Sequence, residues 1–339
     1  MWFDETRLDD DRALADADAT LRELAESGAR VRRALGDAAE DLAVAREVAG
    51  DPDRPRAVVV LGAGSDLVAA RLDERCGAPV VARTETELPS WAGGLDLLVL
   101  LAPEGAPDAA AARAAAGAVR RGCRVVAVCG PGSAVAEAAA GRWSAVLTTR
   151  AGEPLVLALL ALTHLAATGL AADPDPDAVA AALDEVATAC SPYRDATVNP
   201  AKTAAAGLGD CVPAVLGADD ALGARAASGV AAAMRRLTGM PVLAGDAADL
   251  LPLVESAPSR SIFDDPYDDA PGRVRPAVLV LGGPDTGPEL RASAESRGVR
   301  VVDLPGPDDA GPLPSYAATV LLGTYAGAYL RLGLVDDPR

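Results

Sequence analysis

The chain is almost devoid of several polar residue types. Its 339 residues include no glutamine, one histidine (His164), one lysine (Lys202) and one asparagine (Asn199). Aromatic residues make up only 3% of a chain that is 50% hydrophobic. Alanine, valine, leucine and glycine fill the difference, and nearly every cation is arginine. A single histidine excludes a metal site built from two or more histidines of one chain. No basic block offsets the formal net charge of -18. That charge repels phosphate and argues against nucleic acid as a partner. The five cysteines (Cys76, Cys123, Cys129, Cys190, Cys211) form no CxxC pair and are odd in number. They read as small buried thiols in a reducing compartment. The opening MWFDETRLDDD is acidic with no apolar run, so no secretory signal is expected and the location reads as cytoplasmic. The longest apolar stretch, residues 154–172, is interrupted by Thr163, His164 and Thr168. At under about 20 residues it reads as a core helix, not a membrane span.

What is present is alternation. Residues 9–48 read as helix, with Leu14, Leu21, Leu24 and Val31 at helical spacing among charges. DPDRP at 51–55 is a breaker-rich linker. Short β-branched runs follow at 57–62, 79–82, 96–102, 124–130 and 144–149, separated by helical stretches and ending in a long helix at 153–169. Strands apolar on both faces and separated by helices imply a parallel sheet covered on both sides. A second linker, ADPDPD at 172–177, precedes a repeat of the pattern. Its strands are expected at 212–217, 241–245, 277–283 and 301–306, and its last helix at 315–332. The expectation is an N-terminal helical segment (1–50) and two tandem doubly wound α/β domains (51–172 and 173–339). Residues 258–276 form a long acidic loop. Loops of that length are usually functional or mobile, and its run Asp264–Asp269 reads either as a cation site or as a solvated surface.

Three local features could carry chemistry. The first strand of the first domain runs into Gly62-Ala63-Gly64-Ser65-Asp66. A glycine turn leading into a helix N-terminus is where α/β folds bind anions and nucleotides. The dinucleotide fingerprint wants glycine or alanine where Leu67 stands, and the second strand ends Val81-Ala82-Arg83 without an acid. A nicotinamide cofactor is therefore not expected, and neither is any other cofactor or a metal. Asn199-Pro200-Ala201-Lys202 holds the only asparagine and the only lysine. Asparagine as N-cap and proline at the first helical position explain a helix start. A lysine in the first turn opposes the helix dipole, so Lys202 asks for a specific partner, in a site or at an interdomain contact. His164 sits in an apolar helix and reads as a core or interface residue.

Taken in order, these motifs resemble the bifunctional phosphoglucose/phosphomannose isomerase branch of the SIS (sugar isomerase) superfamily, over essentially the whole chain. Gly62-Ala63-Gly64-Ser65 resembles the family's GMGGS. Pro79-Val80-Val81-Ala82-Arg83 with Leu88-Pro89-Ser90-Trp91 resembles its PV.V.R…LP.W. Asn199-Pro200-Ala201-Lys202 matches its NPAK, and Leu321–Tyr325 with Tyr329-Leu330 and Val335-Asp336 resembles its C-terminal motif. The chain is most similar to divergent TobH-like members. The resemblance implies two flavodoxin-like SIS domains, a homodimer, a sugar or sugar-phosphate ligand and no membrane. It places a ligand cleft at Gly62, Gly64, Ser65, Asp66, Glu104, Gly105 and Lys202. It places Arg150 where the family stabilises an enediolate.

The family's chemistry interconverts aldose and ketose 6-phosphates. It needs phosphate-binding hydroxyls, a carboxylate to move the proton, a histidine for ring opening and a cation at the enediolate. The phosphate loop SYSGNT falls on Ala102-Pro103-Glu104-Gly105-Ala106-Pro107, where hydroxyls give way to Ala, Glu and Pro. The NEN segment falls near Arg235-Arg236-Leu237, and no carboxylate lies between Asp220 and Asp246. The ring-opening histidine should follow 241–245, but no histidine follows His164. The family's C-terminal extension has no counterpart in these residues. Two readings follow. One is a degenerate, non-catalytic relative that binds a carbohydrate derivative or a protein partner. The other is a working sugar-phosphate isomerase with Glu104 or Glu255 as base and Arg150 as electrophile.

Overall fold

The computed structural model of the protein describes residues 2–49, 54–72, 76–105, 108–257, 275–307 and 310–335. They form two compact units. One is continuous, Ala29–Asp177, and is called the inserted unit below. The other joins Met1–Gly28 to Ala178–Arg339 and is called the outer unit.

The chain starts with a short strand, β1 (Trp2–Phe3), then a 3-10 turn (Glu5–Leu8) and helices α1 (Asp11–Ala25), α2 (Ser27–Asp37) and α3 (Ala39–Ala49). The helix expected over 9–48 is thus three helices. The first break has a local cause: the Ser27 hydroxyl donates back to the Leu24 carbonyl at 2.8 Å. Gly28 also lets the backbone approach Ala180, where any side chain would overlap the Ala180 carbonyl.

The inserted unit continues with β2 (Val58–Gly62), α4 (Ser65–Leu72), β3 (Val80–Arg83), β4 (Leu97–Ala102), α5 (Asp108–Arg120), β5 (Arg124–Cys129), α6 (Ala134–Ala139), β6 (Ser144–Thr148) and α7 (Pro154–Ala167). Its five strands are parallel in the order β3-β2-β4-β5-β6. β2 and β4 are buried along their whole length, which is why their sequences are apolar at every position. Ala111, Ala114, Ala115 and Ala118 of α5 pack on Val59, Leu98, Leu100 and Val125 of the sheet. Alanine at each contact lets helix and sheet approach closely, so this core closes without aromatic rings. The edge strand β6 is capped by Asp41 of α3, whose carboxylate accepts from the Thr148 amide (2.8 Å) and hydroxyl (2.6 Å).

The outer unit follows with α8 (Pro176–Ala189), α9 (Pro200–Leu208), β7 (Cys211–Leu216), α10 (Ala221–Thr238), β8 (Leu243–Gly245), α11 (Ala247–Glu255), β9 (Arg275–Leu281), α12 (Pro288–Arg297), β10 (Arg300–Leu304), α13 (Pro312–Gly333) and β11 (Leu334–Val335). Four parallel strands lie in the order β10-β9-β7-β8. α11 and α12 bury Leu250, Val254, Leu290 and Ala294 against one face. Gly323 and Gly327 of α13 sit against Val230 and Met234 of α10, so these two helices pack closely. All five cysteines are free and buried. Among the described residues no helix is long and apolar enough to cross a membrane. The fold is therefore mixed α/β with two parallel, doubly wound sheets.

The segment expected at 1–50 divides between the units, for a visible reason. β1 pairs antiparallel with β11. Phe3 fills the space that side chains would need at Gly209 and Gly333. The Arg7 guanidinium donates to the Leu332 carbonyl at 2.9 Å. These contacts hold residues 2–25 to the outer unit.

Candidate functional site

In a doubly wound sheet, the crevice lies at the carboxyl ends of the two strands between which chain order reverses. In the inserted unit those strands are β2 and β4. The turn after β2 uses Gly62 (φ +100) and Gly64 (φ +90). Only glycine fits there, because a side chain at Gly62 would overlap the Leu101 carbonyl of β4 and one at Gly64 the Pro154 carbonyl of α7. The turn is thus pressed against both the neighbouring strand and the start of α7. Ser65 opens α4 fully buried, with its hydroxyl unpartnered. Asp66 follows in the first helical turn, where a carboxylate complements the dipole, and accepts from the Leu67 amide at 3.0 Å.

β4 delivers Glu104 and Gly105 (φ +83) to the same edge. Glu104 sits against Gly130, at the end of β5. Its carboxylate lies 3.9 Å from the Arg150 guanidinium, and the two side chains are 47% and 77% exposed. Such an exposed pair holds its partners only loosely. Arg150 is presented by the buried Thr149, whose hydroxyl accepts from the Ala151 amide at 3.1 Å. Parallel pairing of β2, β4, β5 and β6 therefore brings Gly62, Gly64, Ser65, Asp66, Glu104, Gly105 and Arg150 to one sheet edge.

Lys202 is placed elsewhere. It belongs to the outer unit, at the start of α9, and is fully buried. Its ammonium donates to Asp9 Oδ1 (2.6 Å), the Pro192 carbonyl (2.9 Å) and the Arg194 carbonyl (2.9 Å). Three bonds use all three of its protons. It also lies 5.4 Å from the centre of the Tyr329 ring. Asn199 is the N-cap: Oδ1 accepts from the Ala201 and Lys202 amides at 3.1 Å, and Nδ2 donates to the Ser191 carbonyl. The Tyr329 hydroxyl donates to the Cys190 carbonyl at 2.7 Å. The NPAK motif is thus a staple that ties residues 190–195 and the N-terminal segment to α9 and α13. The cleft role expected for Lys202 is replaced by this packing role, whose partner, Asp9, lies 193 residues away in sequence.

His164 lies in α7, 5% exposed, with Nδ1 unpartnered. Burial, followed by the nearby charge of Arg46, lowers its pKa. It stands ten residues along α7 from Pro154, a rise of about 15 Å. Glu255 ends α11 in the outer unit. Residues 258–274, which hold the acidic run 264–269, lie outside the described residues. No group of three or more His, Cys, Asp or Glu that could hold a metal occurs among the described residues.

The outer unit has its own point of strand reversal, between β7 and β9. Gly217, Asp220, Gly282 (φ +100), Gly283 (φ +101) and Thr286 surround it. Sequence reasoning did not single out this edge, although two adjacent glycines directly after a strand were a usable signal.

No protein-family model matches the chain, and no curated protein matches it by sequence. Solved structures do match over nearly the whole length. A glucose-6-phosphate isomerase-like protein from Thermus thermophilus aligns at 20% identity and TM-score 0.52, covering 89% of this chain and 91% of its own. Tagatose-6-phosphate ketose/aldose isomerase from Escherichia coli aligns at 13% identity and TM-score 0.62, covering 91% and 93%. The C-terminal domain of glucosamine-fructose-6-phosphate aminotransferase from Francisella tularensis aligns at 12% identity and TM-score 0.58, covering 94% and 97%. At these identities the likeness is one of fold, and function is argued from the site.

Proposed function

We propose that the protein is a divergent SIS-type protein of the phosphoglucose/phosphomannose isomerase branch that binds a carbohydrate derivative without isomerising it. The branch assignment rests on the NPAK match and on the order of the accompanying motifs. The non-catalytic reading rests on one observation, the Glu104 carboxylate at the strand-reversal edge, beside Gly130 and Arg150. A phosphate dianion within about 5 Å of that half-exposed carboxylate meets a repulsion of about 1–2 kcal/mol. Arg150, loosely paired and largely exposed, offsets only part of it. A neutral or amine-bearing carbohydrate instead offers hydroxyl or ammonium donors to Glu104. Proton transfer between C1 and C2 would also need a base and a ring-opening acid. The one histidine is buried along α7, where burial lowers its pKa.

Thermal shift tests the reading. Glucosamine or N-acetylglucosamine at millimolar concentration should raise Tm, whereas fructose 6-phosphate and glucose 6-phosphate should not. A shift of several degrees with either phosphosugar overturns the reading. The proximity of Glu104 and Arg150 favours the alternative, an isomerase with Glu104 as base and Arg150 as electrophile. A coupled assay at high enzyme concentration separates the two. Turnover abolished by Arg150→Ala establishes the isomerase. The proposal includes a homodimer, which light scattering tests directly.

A further inference from the structure

The inserted unit has a second unusual surface, at the opposite end of its sheet. Strands of six residues separate it from the crevice by about 20 Å. Here the amino ends of β4, β5 and β6 lie side by side, with Leu97 paired to Arg124 and Val125 to Ser144. Trp143 immediately precedes β6, Leu95 lies two residues before the start of β4, and Trp91 precedes Leu95 by one short turn. Their exposures are 57%, 71% and 47%. All three tryptophans of the chain are exposed, and two of them stand at this one end. Scattered exposed apolar residues need no explanation, but clustered large ones do.

The charge of this end is inverted relative to the whole. The described segments that meet here are 54–57, 89–97, 120–125 and 140–145. They hold six arginines and one carboxylate, and Glu85 and Glu87 line a groove beside Arg120 and Arg121, so cations still outnumber carboxylates six to three in a chain of net charge -18. The carboxylate within these segments, Asp96, is fully buried and neutralised locally: it accepts from Arg56 at 2.6 Å and from the Gly93 amide at 2.8 Å. Arg142 stacks over the Trp143 ring at 4.7 Å, which leaves both the cation and the ring exposed. The Arg121 guanidinium donates to the Pro89 carbonyl at 2.8 Å, so the segment carrying Trp91 is held in place. The surface is therefore preformed, aromatic and cationic.

We infer that this end of the inserted unit docks an acidic segment of another protein, one that carries aromatic or aliphatic side chains among its carboxylates. Arginines and tryptophans are the side chains that anchor protein interfaces. Carboxylates on the partner supply the complementary charge and steer its approach. A second copy is the poorer occupant. A two-fold contact would set arginine against arginine, and an unlike contact would not close. A nucleic acid is also the poorer occupant, because a long polyanion must approach a chain of net charge -18, whereas a short acidic segment meets mainly the local field.

The test uses fluorescence anisotropy of the full chain with a labelled random glutamate–tyrosine copolymer, with polyglutamate and oligothymidylate as comparisons. The copolymer should bind about tenfold tighter than polyglutamate, and both should weaken as salt rises. Trp91→Ala with Trp143→Ala, and separately Leu95→Asp, should each cost about tenfold in copolymer affinity while circular dichroism stays unchanged. Leu243→Asp, at an exposed position of the outer unit, should change nothing. The inference fails if the copolymer does not bind, binds no better than polyglutamate, or binds no better than oligothymidylate. It also fails if sedimentation shows a dimer that Leu95→Asp dissolves, since the surface would then belong to a second copy.

Discussion

The inserted and outer units share a sheet plan but place their polar residues differently. In the inserted unit Ser65, Asp66, Glu104 and Arg150 stand at the carboxyl edge of the sheet, around a glycine turn pressed against β4 and α7. In the outer unit the corresponding edge is formed by Gly217, Gly282 and Gly283 with Asp220, which caps α10, and Thr286, and the fully buried polar residues lie elsewhere. Asn199, Lys202 and Tyr329 form the staple that holds the N-terminal segment. A common architecture thus supplies two crevices, and only side-chain chemistry distinguishes a candidate binding edge from a folding device.

The strongest way to break this comparison is Lys202→Met. It removes three hydrogen bonds from a buried ammonium and should cost about 3–5 kcal/mol. The outer unit should melt first, and ligand binding in the inserted unit should persist below that transition. An unchanged melting curve would show that Lys202 is not structural. Next is Gly62→Ala, which combines a left-handed φ with a backbone overlap and should cost about 3 kcal/mol. Gly283→Ala has nearly the same φ but no heavy atom within 4 Å of the added carbon, and should cost about half as much. Equal losses in chemical denaturation would remove the distinction between a pressed and an open turn.

A smaller effect is expected from His164. Its folded pKa lies below the ordinary value of 6.5, so the unfolded chain takes up the proton first. The neutral imidazole therefore favours the fold above about pH 6.5. That contribution is lost as pH falls toward the lower folded pKa. His164→Leu should flatten stability against pH over this window, and identical slopes would rule the histidine out as the cause. The smallest change in stability, under about 0.5 kcal/mol, is expected for Glu104→Ser. It should nevertheless improve fructose 6-phosphate affinity about tenfold. No improvement would mean that Glu104 is not what excludes phosphate.

Most of the fold was legible because parallel strands buried on both faces leave unbroken apolar runs, as in 58–62 and 97–102. The turn at Gly62 and Gly64 was equally readable, because its backbone demands glycine. The break at Ser27 was not, since a hydroxyl turning back on the Leu24 carbonyl leaves no trace in helical periodicity. The partner of Lys202 was also hidden. The motif announced an oddity, a cation at a helix N-terminus, but Asp9 comes from the other end of the outer unit. Asp41 at the edge of β6 was missed for the same reason, because its contact with Thr148 spans 107 residues.

The docking of β1 onto β11 also bears on how the chain is made. The Arg7–Leu332 contact closes a loop of 325 residues, and the whole inserted unit lies inside it. During synthesis the inserted unit can complete its sheet while the first 28 residues still lack their partners. The outer unit must wait for α13 and β11. Loops of that size close late. The N-terminal segment, with Trp2 and Phe3, is thus synthesised well before the partners it needs in order to fold.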